Sequence, residues 1–440
     1  MIDFCKTISE MRAHVPVTRR WAYLETSSTG LIPDFVYEGV RRYADARYYQ
    51  GGDSLWEYDD GAVGTLEMMR RSKKALAEMI HGSAEDIAFG QSSTQLFTLV
   101  TEGIDYAPED NIVTVGGGWI GTRYAWQKRQ AEGLEVRFVE PENGAVTPEM
   151  LIAACDERTK AISVNLVESA TGYRIDIDRL GAWCSDHGIL LFVDAVQALG
   201  VLHVDVRRSH IDFLVGNDYK WMMNFCGTGF AYISPQVRDR IKHWGAGWMS
   251  DTERFNTGKK HLDLRPDAGR FEIGHQHNDG IYGLGLVAAQ NTALGMDAIE
   301  SYVLDLADHF RQRIRDTEAL RLTYDFAPES CSQIISLRLD AALNVTDAAL
   351  EAGGVFAKVR PTETAGEQEI RVALHYYNNK EDIDRFFDEL ERKVNLVIDQ
   401  LLERFKIQSE KTVRNYPFLM GQGIWIDSEK LNPNDTIGEV

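Results

Sequence analysis

Positive charge is in short supply. Lysine and arginine number 47 against 67 aspartates and glutamates, for a formal net charge of -20 and a pI near 5.0. A chain so acidic repels nucleic acid and anionic lipid, so neither is expected as a partner. Any phosphate it binds has to sit in a local nest of N–H groups. Cysteine is scarce as well: Cys5, Cys155, Cys184, Cys226 and Cys331 are odd in number and scattered, which fits reduced thiols better than a disulfide framework. No apolar run approaches the length of a membrane span, and the opening MIDFCKTISEMRAHVPVTRR lacks the basic-then-apolar order of a signal peptide. A cytoplasmic protein is expected. Repeats and low-complexity tracts are missing too. Cys184 with His187, and His275 with His277, have metal-like spacings but nothing nearby to complete a ligand set, so no metal is expected.

What remains is a chain of 440 residues, 44% apolar and 26% charged, long enough for two or three domains. Its middle alternates strands with helices. The run Ile87–Gly90 turns through Ser92, Ser93 and Thr94 into an apolar helix, where those hydroxyls either cap the helix or form a phosphate site. The strand 111–115 leads into Gly116-Gly117-Gly118-Trp119, and the strand 161–167 ends in Glu168-Ser169-Ala170-Thr171-Gly172. A helix over 178–187, closed by Gly188, precedes the fully apolar Ile189–Val193, which stops at Asp194. Phe213–Val215 then runs through Gly216-Asn217-Asp218-Tyr219 to Lys220. This βαβ alternation predicts an α/β fold with a mainly parallel sheet flanked by helices, its ligands at the carboxyl ends of the strands. Ser92, Trp119, Ser169, Asp194 and Lys220 all fall at that edge.

Elsewhere, residues 50–62 read as an aromatic-rich loop before a helix at 66–81 stopped by Gly82. A long helical region at 281–320 leads to a smaller α+β domain. That domain has strands near 333–339, 355–359 and 369–374, and helices near 346–352 and 380–405. The expected division is an N-terminal segment 1–30, a large domain 31–285, a linking helix and small domain 286–405, and a tail 406–440 packed on the body.

Two chemistries compete for the sheet edge. Gly116, Gly118 and Gly121 fit the dinucleotide pattern G-x-G-x-x-G, with Glu140 about where a ribose-binding acid belongs, which suggests a nicotinamide oxidoreductase. Against it, Trp119 is bulky where pyrophosphate must approach. The alternative is pyridoxal phosphate. A lysine forms a Schiff base with its aldehyde, a strand-end acid keeps its ring nitrogen protonated, an aromatic ring stacks on it, and a helix start holds its phosphate.

Asp194-Ala195-Val196-Gln197, Gly216-Asn217-Asp218-Tyr219-Lys220-Trp221 and Gly227-Thr228-Gly229-Phe230 resemble the class V aminotransferase and cysteine desulfurase superfamily of fold type I pyridoxal phosphate enzymes. Ser169-Ala170-Thr171-Gly172 and the Gly-Asn-x-x-Lys-Trp form are most similar to its isopenicillin N epimerase-like branch. The resemblance spans about residues 23–400. It implies that Lys220 is the Schiff-base lysine and Asp194 the partner of the ring nitrogen. It implies also that Gln197 hydrogen-bonds the ring oxygen, that Ser93 and Thr94 bind the phosphate, with Asn217 and Tyr219 beside them, that Trp119 stacks on the ring, and that Ser169 stands beside the ring hydroxyl. Arg371 matches the arginine that clamps the substrate carboxylate. His275 falls where a loop reaches the phosphate of a partner subunit, so a homodimer is implied.

Departures from the pattern are informative. Tyr219 replaces a common histidine, Asn217 a common serine and Trp119 another histidine, and the 353–371 segment has no thiol to form a persulfide. The expectation is a pyridoxal-phosphate enzyme acting on an L-α-amino acid as an aminotransferase or a carbon–sulfur or carbon–carbon lyase, with an epimerase of the same superfamily as the alternative.

Overall fold

The computed structural model describes residues 4–52, 55–362 and 364–405. A seven-stranded sheet forms its centre. In chain order the strands are β1 Ile87–Gly90, β2 Asn111–Val115, β3 Glu135–Val139, β4 Thr159–Asn165, β5 Leu190–Asp194, β6 Phe213–Asn217 and β7 Gly229–Ile233. They lie side by side as β1-β7-β6-β5-β4-β2-β3. Only β7 runs against its neighbours, so the sheet is mainly parallel, as the βαβ pattern predicts.

The continuous apolar character of β5 has a direct cause. Every residue of the strand is buried. Leu191 and Val193 face one hydrophobic cluster while Leu190 and Phe192 face another on the opposite side, the signature of a sheet covered on both faces. Helices α1 Ser93–Gly103, α2 Ile120–Ala131 and α3 Ile177–His187 are among those that cover it. Gly188 ends α3 in the left-handed conformation, φ 67°.

The long helical region divides. Helix α4 Asn278–Leu294 and helix α5 Met296–Arg315 meet at Gly295, whose φ of 86° no continuous helix allows. The expected stop at Gly82 is shifted as well: the helix Thr65–Met79 closes through His81, at φ 57°. The aromatic-rich stretch before it is a small hairpin pairing Trp56–Tyr58 with Gly61–Val63.

A second sheet of four strands, β8 Leu320–Leu322, β9 Ile334–Asp340, β10 Lys358–Pro361 and β11 Glu367–Ala373, is ordered β8-β9-β11-β10. Its inner face, with Leu337, Ile370 and Val372, packs on α5 and on helix α6 Lys380–Phe405. The N-terminal segment joins this part of the molecule. Ala22–Tyr23 pairs in parallel with Val355–Phe356, and the Ala373 N–H donates to the Leu24 carbonyl at 2.8 Å. That pairing carries Glu25 to the end of β11. The tail 406–440, read from sequence as packed on the body, lies outside the described residues.

Candidate active site

At the carboxyl edge of the large sheet, strand ends deliver polar groups into one pocket. It is lined by Ser92, Ser93 and Thr94 after β1, Trp119 after β2, Ser169 after β4, Asp194 and Gln197 from β5, and Asn217, Tyr219 and Lys220 from β6. Ten side chains expected from sequence therefore meet, although 128 positions separate Ser92 from Lys220.

Lys220 is buried. Its Nζ lies 5.4 Å from the Trp119 ring centre and 5.9 Å from that of Tyr219, with no hydrogen-bond or ion-pair partner among the described residues. Burial, reinforced by Arg371, brings its pKa down from 10.5 to about 8, while Asp194 opposes the shift. The backbone that presents it is held on both sides. The Gly30 N–H donates to the Tyr219 carbonyl at 2.8 Å, and a Cβ on Gly30 would lie 1.8 Å from the Lys220 carbonyl oxygen, so only glycine fits there. His375 donates from Nε2 to the Trp221 carbonyl at 3.1 Å, the tautomer assigned because its Nδ1 accepts the Tyr376 N–H at 2.9 Å. Complete burial pushes the His375 pKa down to about 3, so this imidazole is a neutral strut.

Asp194 accepts the Val196 N–H at 2.9 Å, and burial raises its pKa. Among the described residues no cation lies within ion-pair distance of its carboxyl, a place that a protonated ring nitrogen would fill. Ser92 caps α1 by accepting the Gln95 N–H at 3.1 Å, leaving the N–H groups of Ser93 and Thr94 at an open helix start. Two glycines make room there. A Cβ on Gly229 would lie 2.4 Å from the Ser92 carbonyl carbon, and one on Gly121 2.8 Å from the Trp119 indole nitrogen. These groups fit pyridoxal phosphate, with an unpartnered amine, a buried acid, an indole face and a phosphate-ready helix start.

Other expected residues are placed differently. Gln197 is engaged on both amide atoms, accepting from Trp221 Nε1 at 2.8 Å and donating to the Ser27 carbonyl at 3.1 Å. Ser169 donates to Glu168 at 3.3 Å. His275 is exposed and lines a neighbouring groove shared with Gln91 and Gly227, not the Lys220 pocket. Arg371 is also outside the pocket lining. Its guanidinium donates to Glu25 at 2.6 Å, to Ser28 at 3.0 Å and to the Ser169 carbonyl at 2.8 Å. Glu140, the supposed ribose acid, lies against Gly116, where a Cβ would come within 2.4 Å of its Oε1.

Sequence reasoning missed Glu25, Asp218 and Thr228. Asp218 accepts the Thr228 N–H at 2.7 Å inside the pocket, and burial raises its pKa to about 7. Its place in the polar turn before Lys220 was the available signal.

Fold and site together define an α/β protein with a polar pocket, fit for a phosphorylated cofactor, at the carboxyl edge of a mainly parallel sheet. The sequence model described as Aminotransferase class-V matches residues 22–386, and the chain belongs to that family of pyridoxal-phosphate-dependent transferases and lyases. A second model, Anaerobic ribonucleoside-triphosphate reductase, matches residues 370–440, too short a part of the chain to establish membership.

Among curated relatives, a probable cysteine desulfurase of Methanothermobacter thermautotrophicus is 24% identical over 87% of this chain and 97% of its own. Isopenicillin N epimerase of Streptomyces clavuligerus is 24% identical over 84% and 94%. Among solved structures, a mutant of C-DES with glycine covalently linked to its pyridoxal phosphate superposes with TM-score 0.76 at 18% identity, over 86% of this chain and 98% of that one. A Thermococcus onnurineus cysteine desulfurase gives 0.74 at 20% identity, over 90% and 99%. The nicotinamide reading of Gly116, Gly118 and Gly121 is thereby set aside.

Proposed function

We propose that the protein uses pyridoxal phosphate, bound at Lys220, to act on an L-α-amino acid as an aminotransferase or a lyase. The observation that carries this reading is the buried, unpartnered Lys220 amine, depressed to about 8, in one pocket with Asp194 and the open start of α1. Bound there, the cofactor supplies an aldehyde for the lysine and an electron sink for charge left on the substrate's α-carbon.

The chain's own residues have the following roles in this proposal. Lys220 holds the cofactor at rest and, once displaced by the substrate amine, is the base that takes the α-proton at Nζ. Asp194 accepts the ring N–H. Ser93 and Thr94 donate backbone N–H and hydroxyl hydrogens to the phosphate, with Asn217 and Tyr219 beside them, and Trp119 covers one ring face and excludes water. Gln197 fixes Trp221, and through it the lysine turn; its remaining N–H is the one that can meet the ring oxygen. Arg371 lends positive charge on the substrate-carboxylate side.

Epimerisation needs a second acid or base on the far face. Trp119 has none to offer. Transfer or cleavage chemistry is favoured accordingly. A cystine C–S lyase solved in complex with cysteine persulfide shares the fold, at TM-score 0.74, but residues 353–371 of this chain contain no thiol.

We propose further that the protein is a cytoplasmic homodimer, with His275 and the exposed Trp248, Phe255 and Ile273 facing the partner. Among the described residues Cys155, Cys184, Cys226 and Cys331 form no disulfide, and no helix is long and apolar enough to cross a membrane. Light scattering on the purified protein reads the mass, and a monomer contradicts the dimer. A spectral screen of the cofactor-loaded protein against the common L-amino acids, with product analysis for each response, tests the activity. A colourless protein that takes up no pyridoxal phosphate overturns the reading.

A further inference from the structure

Two histidines 122 positions apart in sequence meet outside the Lys220 pocket. His81 follows the helix Thr65–Met79, and His203 lies between β5 and β6. Their Nε2 atoms face each other at 3.2 Å, with ring centres 5.1 Å apart. His81 reaches that position in the left-handed conformation, φ 57°, although the next residue, Gly82, is of the type that adopts it without steric cost.

A carboxylate stands behind each ring. His203 Nδ1 lies 2.5 Å from Asp297 Oδ1 at the start of α5. An ionised carboxylate only accepts hydrogen bonds, so the proton of the neutral imidazole is drawn to Nδ1 and its Nε2 keeps a bare lone pair. His81 Nδ1 lies 3.9 Å from Asp205 Oδ2, which draws the His81 proton to its outer side as well. The supports are themselves held. Asp205 Oδ1 accepts the Arg207 and Arg208 N–H groups at 3.0 Å each. The His203 N–H donates to Glu300 Oε2 at 2.6 Å, and Glu300 Oε1 accepts from Arg174. With the outer nitrogens protonated, two lone pairs oppose each other across 3.2 Å. Only a cation between them relieves the repulsion.

A proton can fill that gap, and so can a metal ion. The dimensions suit the metal. Imidazole nitrogens about 2.0–2.1 Å from one ion lie about 2.9 Å apart at a right angle and about 3.3 Å apart at the tetrahedral angle, which brackets the observed separation. Imidazole is a preferred donor for nickel, copper and zinc, and an outer carboxylate that fixes the tautomer also makes the ring a stronger ligand. The His81 side chain is 52% exposed, so an ion enters directly from solvent. Among the described residues no third histidine, cysteine or carboxylate completes a ligand group, so water takes the remaining positions.

We propose that His81 and His203 bind one divalent transition-metal ion through their Nε2 atoms, with Asp205 and Asp297 as the outer carboxylates. The ion ties the end of the helix Thr65–Met79 to the segment between β5 and β6, beside the start of α5. The inference is independent of the reading of the Lys220 pocket.

The test uses the full chain, purified without a histidine tag, freed of metal by chelator and titrated with nickel chloride in a calorimeter at neutral pH. Wild type is expected to bind one nickel ion per chain at its tightest site. Asp297→Asn is expected to weaken that site about tenfold, and His81→Ala and His203→Ala to weaken it further. Because the Asp297 side chain is 88% exposed, its variant keeps the fold and serves if a histidine variant does not. With one equivalent of copper(II), electron paramagnetic resonance is expected to show two coordinated imidazole nitrogens in wild type and one fewer in each histidine variant, a signature that a merely structural histidine does not give. A wild-type protein that takes up no nickel leaves a proton in the gap and overturns the proposal. An unchanged tightest site in all three variants overturns it too.

Discussion

The edge of the large sheet and the face of the small sheet both gather charge, yet they are built in opposite ways. At the large-sheet edge the functional groups are left wanting. Among the described residues, Lys220 Nζ has no hydrogen-bond or ion-pair partner, the Asp194 carboxyl accepts a single backbone N–H, and the start of α1 keeps free donors. On the small sheet Arg371 is paired, donating from its two Nη atoms to Glu25, Ser28 and the Ser169 carbonyl. A buried charge costs free energy unless paired. A site that keeps charges unpaired is kept for a ligand that completes it, whereas a paired charge stabilises the fold first. On the proposed function, the contrast separates the residues assigned to the cofactor from those that hold the two sheets in place.

The largest effect is expected on the unsatisfied side. On the proposed function, Lys220→Ala removes both the cofactor's anchor and the base, so turnover should fall by about 10³ or more. The absorbance of lysine-bound cofactor should vanish with it, as read by spectra and product formation. Glu25→Gln tests the satisfied side. Leaving Arg371 buried and uncompensated should cost about 3 kcal/mol of stability, measured as a lower denaturation midpoint, whereas Lys220→Ala should leave the midpoint unchanged or raised. Equal losses of stability in the two variants would erase the distinction between the regions.

A pH profile sharpens it further. Only the neutral amine reacts with an aldehyde, and Lys220 is depressed to about 8 by burial and Arg371. Uptake of pyridoxal phosphate by cofactor-free protein should therefore quicken about tenfold per pH unit below 8 and level off above it. A rate still climbing toward pH 10 would describe an ordinary exposed lysine. The smallest effect is expected from Ser92→Ala, which removes the α1 cap at a cost of about 1 kcal/mol yet leaves the N–H groups of Ser93 and Thr94 in place. Calorimetry should find the phosphate end of the cofactor still bound.

Much of this was legible along the chain because it obeys local rules. A strand buried on both faces is an unbroken apolar run, and β5 is one; its abrupt end at Asp194 marks the sheet edge. Left-handed glycine at a helix end is a local preference, so Gly188 was readable. The break at Gly295 was not, because a single glycine within an apolar helical stretch is equally compatible with a continuous helix until packing selects its φ of 86°. The capture of Gln197 by Trp221 and Ser27 was hidden for a similar reason: a side-chain amide has four bonding directions and sequence names none of the partners.

Sequence by itself determined the parallel sheet, the strand ends that carry Asp194 and Lys220, and the chemistry those residue types can perform, since periodicity and residue type act over a few neighbouring positions. Tertiary structure alone decided which charges are spent and which are free. Glu25 and Arg371 stand 346 positions apart, and only the folded chain brings them together. Such pairings depend on long-range folding, and electrostatic energy depends on distance in space and not along the chain.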